Sequence, residues 1–84
     1  MPRFYMHLVD RTDVLIDPDG VEILAEHVAS AALLQARDCM AGDVKAGRLD
    51  LHCRIDVHDA DGQLVHRLPF EEALDIASPP DAGD

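Results

Sequence analysis

Five histidines, His7, His27, His52, His58 and His66, are the side chains of this 84-residue sequence best suited to chemistry. An imidazole can ligate zinc or nickel, move protons near neutral pH, or serve as donor and acceptor in an interface. His52, Arg54, Asp56 and His58 alternate with apolar neighbours, so an extended chain presents all four on one side. If a strand carrying His7 lies beside them, three imidazoles and one carboxylate share a sheet face. Spacing limits what they can hold. His52 and His58 are six positions apart, roughly 20 Å along a strand, whereas a metal needs its ligands at about 2 Å. A metal site would use one of that pair with His7 or His66 and Asp56. A solvated or interface face accounts for these residues better, and no metal or cofactor is expected.

The other candidate chemistries fail on residue type. Two Asp-Gly turns suggest calcium loops, yet placing Gly20 at the loop glycine puts Leu15 at the first ligand position and Pro18 at the fourth. Placing Gly62 there puts Val57 first and Leu68 last. Both segments are turns. Cys39 and Cys53 read as inward-facing small hydrophobes, one from a helix and one from a strand. Neither Ser30 nor Ser78 has a base or an orienting group beside it. The chain contains no Cys-x-x-Cys pair, phosphate-cradling glycine loop or His-Glu-x-x-His motif. No catalytic residue is expected, and the protein is read as a non-enzyme.

The elements that must position the histidines follow from periodicity. Phe4, Met6 and Leu8 alternate with Tyr5, His7 and Val9 in a first strand, and Val14 to Ile16 makes a short second one. The turn Asp17-Pro18-Asp19-Gly20 follows. From about Leu24 to Lys45 the chain is alanine-rich and free of proline, which predicts a long helix. At about 100° per residue, Leu24, Ala25, Val28, Ala29, Ala32, Ala36, Cys39 and Met40 fall on one arc, with Leu34 on the polar side. Gly42 and Gly47 are where the helix should weaken and end. Leu49, Leu51, Cys53, Ile55 and Val57 alternate with polar residues, predicting a strand over 49–58. Asp59 to Gly62 turns it into a return strand from Gln63 to Phe70, an edge strand because Pro69 cannot donate a ladder bond. Glu71 to Ile76 fits a short helical segment. The prediction is an α+β fold, β-β-α-β-β, with a four-stranded antiparallel sheet in the order 2-1-3-4 and one long helix on one face. Residues 1–77 form one domain, and 78–84 read as a disordered acidic, proline-containing tail.

The opening Met1-Pro2-Arg3-Phe4-Tyr5-Met6-His7-Leu8 resembles a family of short bacterial proteins, a domain of unknown function. Its members open with an aromatic-rich strand ending in His-Leu. They continue with an Asp-x-x-Gly turn, an alanine-rich helix and a hairpin ending near Leu-Pro-Phe. The matching stretches are His7-Leu8, Asp17 to Gly20, Ala25 to Ala36, Asp59 to Gly62 and Leu68-Pro69-Phe70, within residues 1 to about 76. Met6 stands where an aromatic is more usual. The resemblance implies no activity, cofactor or catalytic residue.

Charge and composition bound the partners. Seventeen acids against seven bases give −10 with histidine neutral, which argues against a nucleic-acid backbone binder. No apolar run is long enough to span a bilayer. The amino-terminal stretch is broken by His7 and Asp10, so it does not read as a secretion signal, and the expected compartment is the cytoplasm. One helix covers one face of a sheet and leaves the other bare. That face, with Tyr5, His7, Val9, His52, Arg54, Asp56, His58 and Val65, is the expected interface of a self-associating dimer. The second expectation is an acidic, antitoxin-like or regulatory subunit that binds a basic protein.

Overall fold

The structure, a computed structural model, describes residues 1–77. The expected tail at 78–84 lies outside the described residues. Strand β1 runs Arg3–Val9, β2 Val14–Leu15 and β3 Val21–Glu22. A single 3₁₀ turn at Ala25–His27 leads into helix α1, Val28–Ala46, followed by β4 at Arg54–His58, β5 at Leu64–Pro69 and a one-turn helix α2 at Phe70–Ala73. All strand pairs are antiparallel, in the order β2-β1-β4-β5. The α+β class is as expected, and the sheet differs in detail by a fifth strand. β3 pairs with the Arg3–Phe4 end of β1, while β2 pairs with its Leu8–Val9 end. Both short strands therefore share one edge of β1, and the Asp17-Pro18-Asp19-Gly20 turn fills the gap between them.

The core lies between the sheet and α1. Phe4, Ile55 and Val57 come from the sheet, Val28, Ala32, Ala36 and Met40 from α1, and Phe70 and Ala73 from α2. The buried α1 residues recur every four positions. Ala32 and Ala36 lose all their exposure, so the backbone of α1 lies close on the sheet. Leu24, Ala25 and Ala29, which helical phase assigns to this stripe, are exposed. Leu24 is still extended and Ala25 lies in the 3₁₀ turn, which winds more tightly than an α-helix and so leaves the phase, while Ala29 keeps the phase but lines an open groove with Phe4 and Val28. Leu34 is exposed, as its position on the polar arc requires. Gly42 passes through α1 without breaking it. Gly47 ends it at φ +96, its N–H bonding to Val44 O at 3.0 Å while Arg48 N–H reaches Asp43 O at 3.0 Å. Arg37 reaches across to hold α2, donating from Nε to Ala73 O at 2.9 Å.

The strand expected over 49–58 forms only from Arg54. Its pairing with β1 ends at Val9–Arg54, because Asp10 turns the chain away, its carboxylate accepting the Thr12 and Asp13 N–H groups. Its pairing with β5 ends at Arg54–Pro69, with one further backbone bond from Phe70 N–H to Cys53 O at 2.9 Å, because the chain enters α2 at Phe70. Residues 49–53 therefore lack a strand partner on either side, although Leu49, Leu51 and Cys53 still pack against the core. Alternation alone does not make a strand.

Candidate functional site

The register of β1 against β4 sets three cross-strand pairs on the face turned away from α1: Tyr5 with His58, His7 with Asp56 and Val9 with Arg54. β5 places Arg67 opposite Asp56. Asp56 is 5 % exposed and is the hub of the face. Its Oδ1 accepts from Arg54 Nε at 3.1 Å and Arg67 Nε at 2.8 Å, and its Oδ2 from Arg67 Nη2 at 3.1 Å. Burial pushes the Asp56 carboxyl up, but the two guanidiniums outweigh it and hold the group below the ordinary aspartate range. The same contact raises Arg67. His7 and His58 stand beside this triad with ring centroids 5.0 Å apart and planes tilted by 41°. His58 Nδ1 is buried and finds no partner among the described residues.

The backbone of a second aspartate positions His7. Asp17 N–H donates to His7 Nδ1 at 3.0 Å, which places the imidazole proton on Nε2, on the open side of the ring. Asp17 Oδ2 accepts the Met6 N–H at 3.1 Å, and Oδ1 accepts those of Asp19 at 3.2 Å and Gly20 at 3.1 Å. Met6 falls between the stretches of β1 that pair with β2 and β3, so this side chain replaces a missing strand partner. Burial pushes the Asp17 carboxyl up, and the three N–H donors together with His7 bring it below its ordinary value. Gly20 closes the turn at φ +69, where a Cβ would stand 2.8 Å from Phe4 O and 2.9 Å from the Tyr5 ring. The Asp-x-x-Gly turn and the histidine after Tyr5-Met6 thus form one clamp.

On this face lies a shallow groove of about 540 Å³, lined by Tyr5, His7, Val9, Val14, Ile16, Arg54, Asp56 and His58, with Asp59, Ala60 and Gly62 of the β4–β5 turn at one end. It offers apolar contact, an imidazole donor and guanidinium N–H groups, a set suited to recognition.

Two of the expected face residues lie elsewhere. His52 sits in the turn before β4, exposed, with Nδ1 2.7 Å from Arg11 Nη2 and 3.0 Å from Asp50 Oδ1. It leaves the face because the strand has not begun there. Val65 is displaced by a β-bulge: Val57 pairs with His66 but His58 pairs with Leu64, so Val65 is the extra residue. It lines a different groove, on the α1 side, with Phe4, Ala25, Val28 and His66. The residues overlooked are Arg67, Val14 and Ile16. Arg67 was legible in outline, since Leu68 reads as core-facing on the return strand and its neighbour must then face away. Among the described residues no three His, Cys, Asp or Glu side chains are grouped to hold a metal ion. Cys39 and Cys53 are free and half-buried. Burial first, then nearby acids, pushes both thiols up, which suits packing and opposes nucleophilic use.

A family model described as a domain of unknown function (DUF6894) matches residues 3–71, from the first residue of β1 into α2. No curated protein and no solved structure matches the chain. No helix among the described residues is long and apolar enough to cross a membrane.

Proposed function

The chain belongs to the DUF6894 family, whose description carries no activity, and we propose that it is a non-enzymatic, self-associating interaction module. Its seam is the groove face of the sheet, and its occupant a second copy of the same chain. The observation that carries this reading is the composition of that face. Both helices pack against the opposite side through Phe4, Ile55 and Val57. On the groove side, Val14 and Ile16 stay 53 % and 60 % exposed beside Tyr5 and two histidines, with the Arg54–Asp56–Arg67 triad set among them. Aromatic and apolar groups joined to pre-ordered arginines are what protein interfaces favour over ordinary surface. The two unpaired thiols fit a reducing compartment, so the cytoplasm is proposed with it.

Sedimentation equilibrium tests the reading. The parent chain should run as a dimer and Ile16→Glu as a monomer, while Leu34→Glu, on the exposed side of α1, stays dimeric. A parent chain that is monomeric across the concentration range overturns it. A monomer that co-purifies with a basic protein would move the assignment to the acidic-subunit reading that the −10 charge suggests.

A further inference from the structure

Among the residues that line the groove, a cation stands at one end and an acid at the other. At the Val9 end stands Arg54, which spends its Nε–H on Asp56 and leaves both Nη groups without a partner among the described residues. At the other end is the β4–β5 turn, where Asp59 and Asp61 sit with no base between them. Asp59 is tied to its own turn, its Oδ1 accepting the Asp61 and Gln63 N–H groups at 2.9 Å each. Asp61 is exposed and its carboxylate makes no hydrogen bond within the described residues. β4 spans about 13 Å between these ends, and the midpoint of the path falls near Asp56 and His58.

Resting on the reading of this face as a seam between two copies, we infer that the copies meet with their β4 strands antiparallel, so that Arg54 of each faces Asp61 of the other. A two-fold axis through the midpoint makes this pattern self-complementary: a cation at one end and an acid at the other exchange places under the rotation. The turn of one copy then enters the open end of the partner's groove, and its carboxylate meets the free Nη groups of Arg54. A parallel seam would instead set Arg54 against Arg54 and Asp61 against Asp61, which like charge disfavours. His7 and His58 come to lie on either side of the axis, at the centre of the seam.

Charge reversal tests the orientation. Arg54→Glu alone and Asp61→Lys alone should each weaken the homodimer about tenfold or more, since each creates two like-charge contacts. An equimolar mixture of the two variants should restore a dimer close to parental strength. In that heterodimer one contact joins the two introduced side chains, which are opposite in charge, and the other keeps Arg54 against Asp61. Melting followed by circular dichroism checks that each variant is folded. Should Arg54→Glu unfold, Asp61→Lys against Asp61→Asn reads the same contact, the lysine weakening the dimer more than the asparagine. A dimeric parent that neither reversal weakens, or a mixture without rescue, overturns the orientation and leaves the seam standing. Preferential pairing of the Arg54→Glu variant with the parent chain would show the parallel seam. A monomeric parent overturns the reading of the face itself.

Discussion

Two aspartates carry more of this structure than their surface-friendly residue type suggests. Asp17 serves four groups at once: it donates its N–H to His7 and accepts from Met6, Asp19 and Gly20. Asp17→Asn keeps one oxygen but turns an amide donor toward at least one N–H, which should cost about 1–3 kcal/mol in a denaturant melt. Gly20→Ala should cost a similar amount, about 1–3 kcal/mol, because it forces a side chain into positive φ and toward the Phe4 carbonyl. Asp17 and Asp56 also tie stability to acid. Both carboxyls titrate lower in the folded chain than in the unfolded one, where aspartate sits near about 3.9. Their contribution is therefore fully present above that value and is lost as pH falls through the folded values. Urea midpoints taken between neutral pH and about pH 3 should fall steeply below about pH 4. Asp56→Asn should flatten that fall.

At the level of elements, α1 lies on the sheet through alanine. Ala32 has no exposed surface and lies amid Val28, Ala36 and Met40 on the same stripe. Such a contact has no room for three further carbons. Ala32→Leu should lift α1 from the sheet and destabilise by about 1–3 kcal/mol, seen as a lower thermal midpoint. An unchanged midpoint would place Ala32 off the contact. The β-bulge at Val65 acts at the same scale with the opposite character, since it adds a residue and moves a side chain between faces without opening the ladder. It assigns Leu64 to pair with His58 and leaves Val65 beside the entry to α1.

For the whole molecule the relevant quantities are the charge of −10 and the histidines at the proposed seam. A proton added to His7 must go to Nδ1, the atom that accepts the Asp17 N–H, so protonation breaks the clamp as well as charging the face. The groups that face His7 and His58 are Tyr5, Arg54, Asp56 and Asp59, with Asp17 behind His7. Asp56 is already committed to two guanidiniums and has little to offer another cation. Acidification should therefore loosen the proposed dimer, because it would gather imidazolium ions at a desolvated axis. The opposing effect, weaker repulsion between two less acidic subunits, acts over distances that salt screens beyond about 8 Å. Sedimentation at about pH 7.5 and about pH 5.5 in constant salt decides between them. A dimer equally tight or tighter at the lower pH would remove His7 and His58 from the seam.

What the sequence determined by itself was whatever depends on neighbours along the chain. The alternation of Phe4 to Val9, the alanine-rich run up to Gly47 and the Asp-Gly turns at 17–20 and 59–62 each encode a local conformation, and each is present in the structure. From them the α+β class, the antiparallel sheet and the uncovered face followed. Tertiary structure decided what depends on a partner distant in sequence. Residues 49–53 alternate as cleanly as 54–58, but only the latter have β1 and β5 beside them, and a strand exists only where a ladder can form. That removed His52 from the face. One inserted residue in β5 removed Val65, because side chains change sides with every single-residue shift of register. Val21–Glu22 became a strand because the free edge of β1 lay within reach, and Asp17 became the clamp of His7 because Met6 was left between two short partners. Arg67 joined Asp56 through pairing across a hairpin whose register the bulge sets. Local periodicity carries no information about which segments meet, and here the meeting placed the chemistry.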